Sequence, residues 1–192
     1  VNGRLSERSY GRYRMLRPVI GGAFAKLRAA AVQDEAYAER FRGMGVPANR
    51  VTVTGTMKWD TAVIADEIDG ADTLAAAMGI DRAKPLVVCG STGPGEEAML
   101  VEQLGALEDV QLLIAPRKPE RFDEAASAMG EPVRRSACVD GSSRAPNDQR
   151  HFLLDTIGDL RKAYALGDVA IVGRSFCPLY GSDVIQPTGL GK

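Results

Sequence analysis

The sequence predicts an α/β protein built on a doubly wound, Rossmann-like parallel sheet. Three observations carry that expectation. From residue 84 onward, short apolar runs alternate with amphipathic stretches at the spacing of βα units. The runs at 86–89, 110–115, 152–154 and 169–172 are continuous rather than alternating, which suits strands covered on both faces. Each run leads into a turn containing Gly, Ser, Pro or a cation, and a helical pattern follows.

Taken in order, the chain opens with Asn2-Gly3-Arg4-Leu5-Ser6, the tail of a strand with Ser6 capping the next helix. Residues 7–28 carry Arg8, Arg12, Arg14, Arg17, Lys26 and Arg28 against one acid, Glu7. Tyr13, Leu16, Ile20, Phe24 and Leu27 recur at helical spacing, and Pro18 with Gly21-Gly22 divides the stretch into two short helices. Such a basic amphipathic stretch is either the solvated face of a packed helix or a surface for an anionic membrane. Residues 29–32 read as a short strand, Asp34 as the cap of a helix reaching Met44, and Gly45 as its end. Residues 51–53 read as another strand. The stretch 61–84, acidic and then Ala-rich, reads as a link whose best helix covers 72–78 and stops at Gly79.

The βα repeat then begins. Helices are expected at 96–107, 121–129 and 159–165, with another starting near Val184. Residues 133–135 read as a short strand, and 140–150 as a polar loop. The division is therefore residues 1–50 as the end of one domain, 51–84 as an interdomain region, and 85–192 as a second domain truncated at its C-terminus.

Composition excludes several functions. The 192 residues allow one domain, or one plus part of another. A hydrophobic fraction of 45% and a charged fraction of 26% are ordinary for a globular chain. A net charge of −1 and 6% aromatic residues argue against a nucleic-acid partner. Cys89, Cys138 and Cys177 are odd in number and widely spaced, so they read as buried or free thiols in a reducing compartment rather than metal ligands. His151, the only histidine, opens a strand-like run and reads as a strand-edge residue. No run approaches the roughly 18 apolar residues of a membrane helix. The chain opens with Val1 and stops at Gly-Leu-Gly-Lys, and it reads as a fragment of a longer protein.

Candidate chemistry lies in the loops after the strands, because ligands of such sheets bind off the carboxyl ends. These loops offer Ser91, Thr92 and Gly93; Pro116, Arg117 and Lys118; Thr156, Ile157 and Gly158; and Gly173, Arg174 and Ser175, followed by Gly181, Ser182 and Asp183. Small residues let backbone N–H groups approach an anion, helix N-termini add partial positive charge, and Arg117, Lys118 and Arg174 add full charge. The alternative is that βα loops carry Gly and Ser for turn geometry alone. A phosphorylated ligand is expected, with neither a P-loop nor a G-x-G-x-x-G fingerprint to hold it.

The series Asn2-Gly3-Arg4-Leu5-Ser6, Val53-Thr54-Gly55-Thr56-Met57-Lys58-Trp59-Asp60, Gly90-Ser91-Thr92-Gly93-Pro94-Gly95-Glu96-Glu97, Pro116-Arg117-Lys118-Pro119-Glu120-Arg121-Phe122 and Val172-Gly173-Arg174-Ser175-Phe176 resembles bacterial Kdo (3-deoxy-D-manno-octulosonic acid) transferases along nearly the whole chain. The resemblance implies a two-domain GT-B glycosyltransferase that moves Kdo from CMP-Kdo onto a lipid A precursor, peripherally, at the cytoplasmic face of the inner membrane. It implies that residues 1–50 end the acceptor domain and 85–192 form the donor domain. No cofactor beyond the donor substrate CMP-Kdo and no metal is implied.

By the same resemblance, Pro116 and Arg117 contact CMP, as do the Ile157-Gly158-Asp159 loop and the segment from Asp183 to Gln186. Lys58 matches a lysine that stabilises the transition state, where a fixed cation suits charge developing on the departing phosphate; a bare surface lysine is the alternative. Relatives often carry His at the position of Gly93 and Glu at that of Gln186, and Tyr180 replaces a glycine. Gln at 186 can still hydrogen-bond hydroxyls but brings no charge. The family's general base, a glutamate, lies upstream of Val1, so the chain alone is expected to lack transferase activity. Two other readings are a GT-B transferase or epimerase acting on a UDP-sugar, and a nucleotide-binding module that has lost its chemistry.

Overall fold

A computed structural model of the chain describes residues 2–57, 65, 67–138, 149–178 and 181–192. The chain divides into two compact units, Val1–Thr61 and Ala62–Lys192.

In the first unit, β1 (Ala30–Val32) and β2 (Val51–Val53) pair in parallel, with Ala30 opposite Val51. The helix between them, α3 (Glu35–Gly43), begins where the Asp34 carboxylate accepts the Tyr37 N–H at 2.8 Å. Gly45 follows at φ +110° and turns the chain back. Val32, Ala38, Val46 and Val51 form a small core, edged by Phe24 and Phe41 in a T-shaped contact. Two helices precede β1: α1 (Glu7–Met15), capped by Ser6, and α2 (Arg17–Ala25). The break falls at Leu16, not at the glycines. Pro18 sits in the first turn of α2, where its missing N–H has no partner to lose, and Gly21 and Gly22 lie inside the helix. Neither helix buries a residue fully, and Met15 and Val19 are 75% and 82% exposed.

The second unit contains the parallel sheet. Its strands are β3 (Leu86–Thr92), β4 (Gln111–Pro116), β5 (Val133–Arg134), β6 (His151–Leu153) and β7 (Val169–Val172), in the order β5-β6-β4-β3-β7. All pairings are parallel. The helices are α4 (Ala71–Met78), α5 (Glu96–Leu104), α6 (Phe122–Met129), α7 (Leu160–Leu166) and α8 (Ile185–Thr188).

Alternate residues of each strand enter opposite cores. Leu86, Val88, Leu113 and Phe152 pack with Leu74, Met78, Ala163 and Tyr164 on one face. Cys89, Leu112, Ile114 and Leu153 pack with Leu100, Ala125 and Met129 on the other. The sheet is therefore covered on both sides, which explains the continuous apolar runs. The stretch 51–84, expected as an interdomain region, is shared between the units: β2 pairs with β1, whereas α4 joins the core of the second sheet. β3 also runs three residues beyond the expected end. Gly90 permits this, because the Tyr164 hydroxyl occupies the space a Cβ would need. The bulge at Ser91, φ +59°, then lets Thr92 pair with Pro116.

Candidate functional site

Because β3, β4, β6 and β7 run in parallel and in register, their carboxyl ends share one edge of the sheet. The chain passes from β3 through α5 to β4 on one face, and from β6 through α7 to β7 on the other. The winding reverses between β3 and β7. That switch point is where the loops of a doubly wound sheet diverge and leave a crevice for a ligand. The last ladder contact there is Gly173 N–H to the Gly90 carbonyl, at 2.8 Å. A Cβ at Gly173 would collide with the Ser91-Thr92 backbone, so only glycine lets the two strand ends approach.

The loop after β3 is built around two buried glutamates. Glu96, 2% exposed, begins α5; its Oε2 accepts N–H groups from Gly93 at 2.8 Å and Arg174 at 2.6 Å, and its Oε1 accepts that of Phe176 at 3.0 Å. Burial opposes ionisation of Glu96, but the donors from Arg174, Gly93 and Phe176, with the Cys177 thiol, outweigh it and hold the carboxyl below its usual range. Glu97, 1% exposed, accepts the Thr92 hydroxyl at 2.7 Å and both Arg121 Nη atoms at 2.8 Å. Ser91 and Thr92 thus lie at the edge but are buried. The Thr92 hydroxyl is committed to Glu97, and the Ser91 carbonyl accepts the Ser182 hydroxyl at 3.3 Å.

After β4, Pro116 is buried as the last paired residue, and Arg117 donates its N–H to the Thr92 carbonyl at 3.0 Å. That bond anchors the backbone beside the loop after β3. The Arg117 and Lys118 side chains are exposed, and among the described residues no hydrogen bond or ion pair engages either. Arg121, four positions on, turns inward instead.

After β6, Asp155 is buried and accepts Arg134 Nε at 2.7 Å, Ser136 Oγ at 2.6 Å and Ser136 N–H at 2.7 Å. It ties β5 to β6. Ile157, 80% exposed, and Gly158, at φ +102°, form the loop tip. Asp159 accepts Thr156 Oγ1 at 3.0 Å and Lys162 Nζ at 2.8 Å. Burial raises the Asp159 pKa, but Lys162 and Thr156 overcome it and leave it lowered.

After β7, Arg174 holds φ +63°, its N–H bound to Glu96 and its carbonyl to the Gly181 N–H at 2.8 Å. Ser91 and Arg174, two non-glycine residues in left-handed conformation, lie at the adjoining ends of β3 and β7. Such strain gathers where surrounding contacts over-determine the backbone. The exposed Ser175 donates its hydroxyl to the Val172 carbonyl at 2.8 Å. Asp183 accepts the Ile185 N–H at 3.1 Å and opens α8, on which Gln186 is exposed.

The four loops leave from one edge of the sheet, as the parallel strands require, and hydrogen bonds join those after β3, β4 and β7. Lys58 and Tyr180 lie outside the described residues. The sequence reading missed Glu96, Glu97 and Asp155 as the groups that hold the loops, and assigned Arg121 to the start of a helix. The signal was the acid pair directly after Gly95. Acids in a first turn ordinarily face solvent and complement the helix dipole, so their burial was not visible. Among the described residues no cluster of His, Cys, Asp and Glu could hold a metal, and no helix is long and apolar enough to cross a membrane.

Comparison with known proteins agrees with the motif resemblance. A family profile described as 3-Deoxy-D-manno-octulosonic-acid transferase (kdotransferase) matches residues 1–61. The 3-deoxy-D-manno-octulosonic acid transferase of Bordetella pertussis is 33% identical over 199 residues, covering 100% of this chain and 45% of that protein. The enzyme of the same name from Haemophilus influenzae is 28% identical, covering 97% of this chain and 44% of that protein. The chain thus spans less than half the length of these relatives. Among solved structures, the C-terminal CMP-Kdo binding domain of WaaA from Acinetobacter baumannii superposes with a TM-score of 0.52 at 29% identity, over 62% of this chain and 64% of that one.

Proposed function

Because this chain is related over its whole length to Kdo transferases, we propose that it is part of a GT-B enzyme that transfers Kdo from CMP-Kdo to a lipid A precursor in lipopolysaccharide biosynthesis. In this reading the second unit binds the donor, and the first is the end of the acceptor domain. The observation that carries it is the place of Arg117: an exposed guanidinium with no partner among the described residues, on a backbone held to Thr92 beside the switch point. A guanidinium there suits a nucleotide phosphate, which it can grip with two parallel hydrogen bonds. The exposed Ile157 and Gly158 of the loop after β6 and the exposed Gln186 of α8 are assigned, with Ser175 and Asp183, to the rest of the proposed CMP-binding set.

The reaction breaks the bond between the Kdo anomeric carbon and the phosphate oxygen, so negative charge grows on departing CMP. Arg117 binds the phosphate, and a second cation placed against that charge lowers the barrier; Lys58 is proposed for that role. The proton leaving the acceptor hydroxyl goes to a glutamate outside this chain. The enzyme would work peripherally at the cytoplasmic face of the inner membrane. Arg8, Arg12, Arg14 and Arg17, beside the exposed Met15, Leu16 and Val19, fit an anionic lipid surface. Calorimetric titration of the chain with CMP and with UDP tests the donor assignment. CMP is expected to bind more tightly, and a preference for UDP would transfer the reading to UDP-sugar enzymes.

A further inference from the structure

We propose that Glu96 is a positioning residue of this donor site: its carboxylate ties the loop after β3 to the loop after β7 across the crevice, and so sets where Arg174 and Ser175 meet the ligand. The proposal rests on the CMP-binding reading above.

The need for such a tie follows from the topology. β3 and β7 are paired only as far as Gly90 and Val172. Past that point one chain leaves for one face of the sheet and the other comes from the opposite face, so no ladder holds the loops in register. Glu96 connects them through two backbone donors, beside the single bond from the Ser182 hydroxyl to the Ser91 carbonyl. One of its backbone donors, Gly93, lies in its own loop; the other two, Arg174 and Phe176, are 78 and 80 positions away in sequence. An ionised carboxylate suits the role because it only accepts and has room for several donors. The two loops also run close together, since a Cβ added to Gly93 would lie 3.2 Å from Arg174 Cγ and 3.3 Å from Cys177 Sγ.

The tie changes where positive charge for a phosphate comes from. The backbone donors of Gly93, Arg174 and Phe176 are already bound to a carboxylate of the protein, which also stands at the N-terminus of α5. Other groups are left to meet a ligand anion, the exposed side chains of Arg117 and Lys118 among them. With its charge absorbed internally and 2% of its surface exposed, Glu96 is neither a base nor a ligand group. Its influence on the ligand passes through the backbone of residues 174–176.

The test is calorimetric titration of CMP against the 192-residue chain and its variants Glu96→Ala and Glu96→Gln, with amide NMR spectra of each at a temperature where all are folded. Glu96→Ala is expected to weaken CMP binding about tenfold or more. Glu96→Gln keeps an acceptor on one side and turns an NH2 toward a donor on the other, so its loss is smaller. In both, the amide resonances of Gly93, Arg174 and Phe176 should move together. Glu102→Gln, an exposed change on α5, is expected to leave CMP affinity unchanged. A folded Glu96→Ala protein with wild-type CMP affinity would overturn the proposal, as would Glu96→Gln with unmoved Arg174 and Phe176 resonances, which decides the matter should the alanine variant not fold. Wild-type protein that binds no CMP defeats the donor reading instead, and the amide resonances then decide the role of Glu96 by themselves.

Discussion

Arg121 and Glu97 form a two-pronged ion pair beneath the carboxyl edge of the sheet, Nη1 to Oε1 and Nη2 to Oε2 both at 2.8 Å. Both side chains are largely buried, and the pair joins the turn after β4 to the first turn of α5. Arg117, four residues earlier in the same turn, faces solvent. One short segment thus supplies a buried, paired cation and a solvent-facing one, and mutation should separate them.

Arg121→Ala would leave Glu97 buried without its partner. Removing one member of a buried pair costs about 3–5 kcal/mol, whereas replacing both by apolar residues of similar volume is often neutral or better. Urea unfolding of the chain should therefore show a large loss for Arg121→Ala and a much smaller one for Arg121→Met combined with Glu97→Leu. Equal losses would argue that Glu97 finds another partner when Arg121 is gone.

Acid should destabilise the second unit. Burial opposes ionisation of Asp155, but bonds from Ser136 and Arg134 overcome it and lower its pKa. Its folded pKa therefore lies below the ordinary aspartate value of about 3.9. The unfolded carboxyl protonates first as pH falls, so the stabilisation is fully present above about pH 5 and is lost as pH falls through the folded pKa. Glu96 and Asp159 act in the same direction. Urea midpoints measured from pH 7 down to pH 3 should fall for the wild type. In Asp155→Asn the fall should be shallower, from a lower starting stability.

The three thiols should differ in reactivity. Cys89 is buried, and burial followed by the nearby Glu96 charge pushes its thiol up to about 12. Cys138 is also buried, and burial raises its pKa. Cys177 is partly exposed. Since the thiolate is the reactive form, Ellman's reagent should modify Cys177 in the native chain and the other two only on unfolding. Prompt modification of a Cys89-only variant would contradict the packing of β3.

Much of the fold was legible in the sequence because its signals are local. Continuous apolar runs such as 110–115 mark strands covered on both faces, and Gly79 and Asp34 mark helix ends through backbone geometry alone. That the loops share one edge followed from parallel topology. What holds those loops was not legible, because it depends on distant partners: Glu96 meets Arg174 and Phe176 only after β7 has docked beside β3. Arg117 and Arg121 likewise look alike in a basic turn, and only the position of Glu97 distinguishes them. The helix break at Leu16 was displaced for a local reason, since Pro18 reads as a breaker and acts as a first-turn residue.

In the proposed function, the carboxyl edge of the second sheet binds CMP through Arg117. Calorimetric titration of CMP against wild-type chain and Arg117→Ala tests it most directly, with thermal unfolding as the control. The wild type is expected to bind CMP, Arg117→Ala to lose about tenfold or more in affinity, and the stability of that variant to stay within about 0.5 kcal/mol of wild type, as for an exposed side chain. CMP affinity unchanged in a folded Arg117→Ala protein would contradict it.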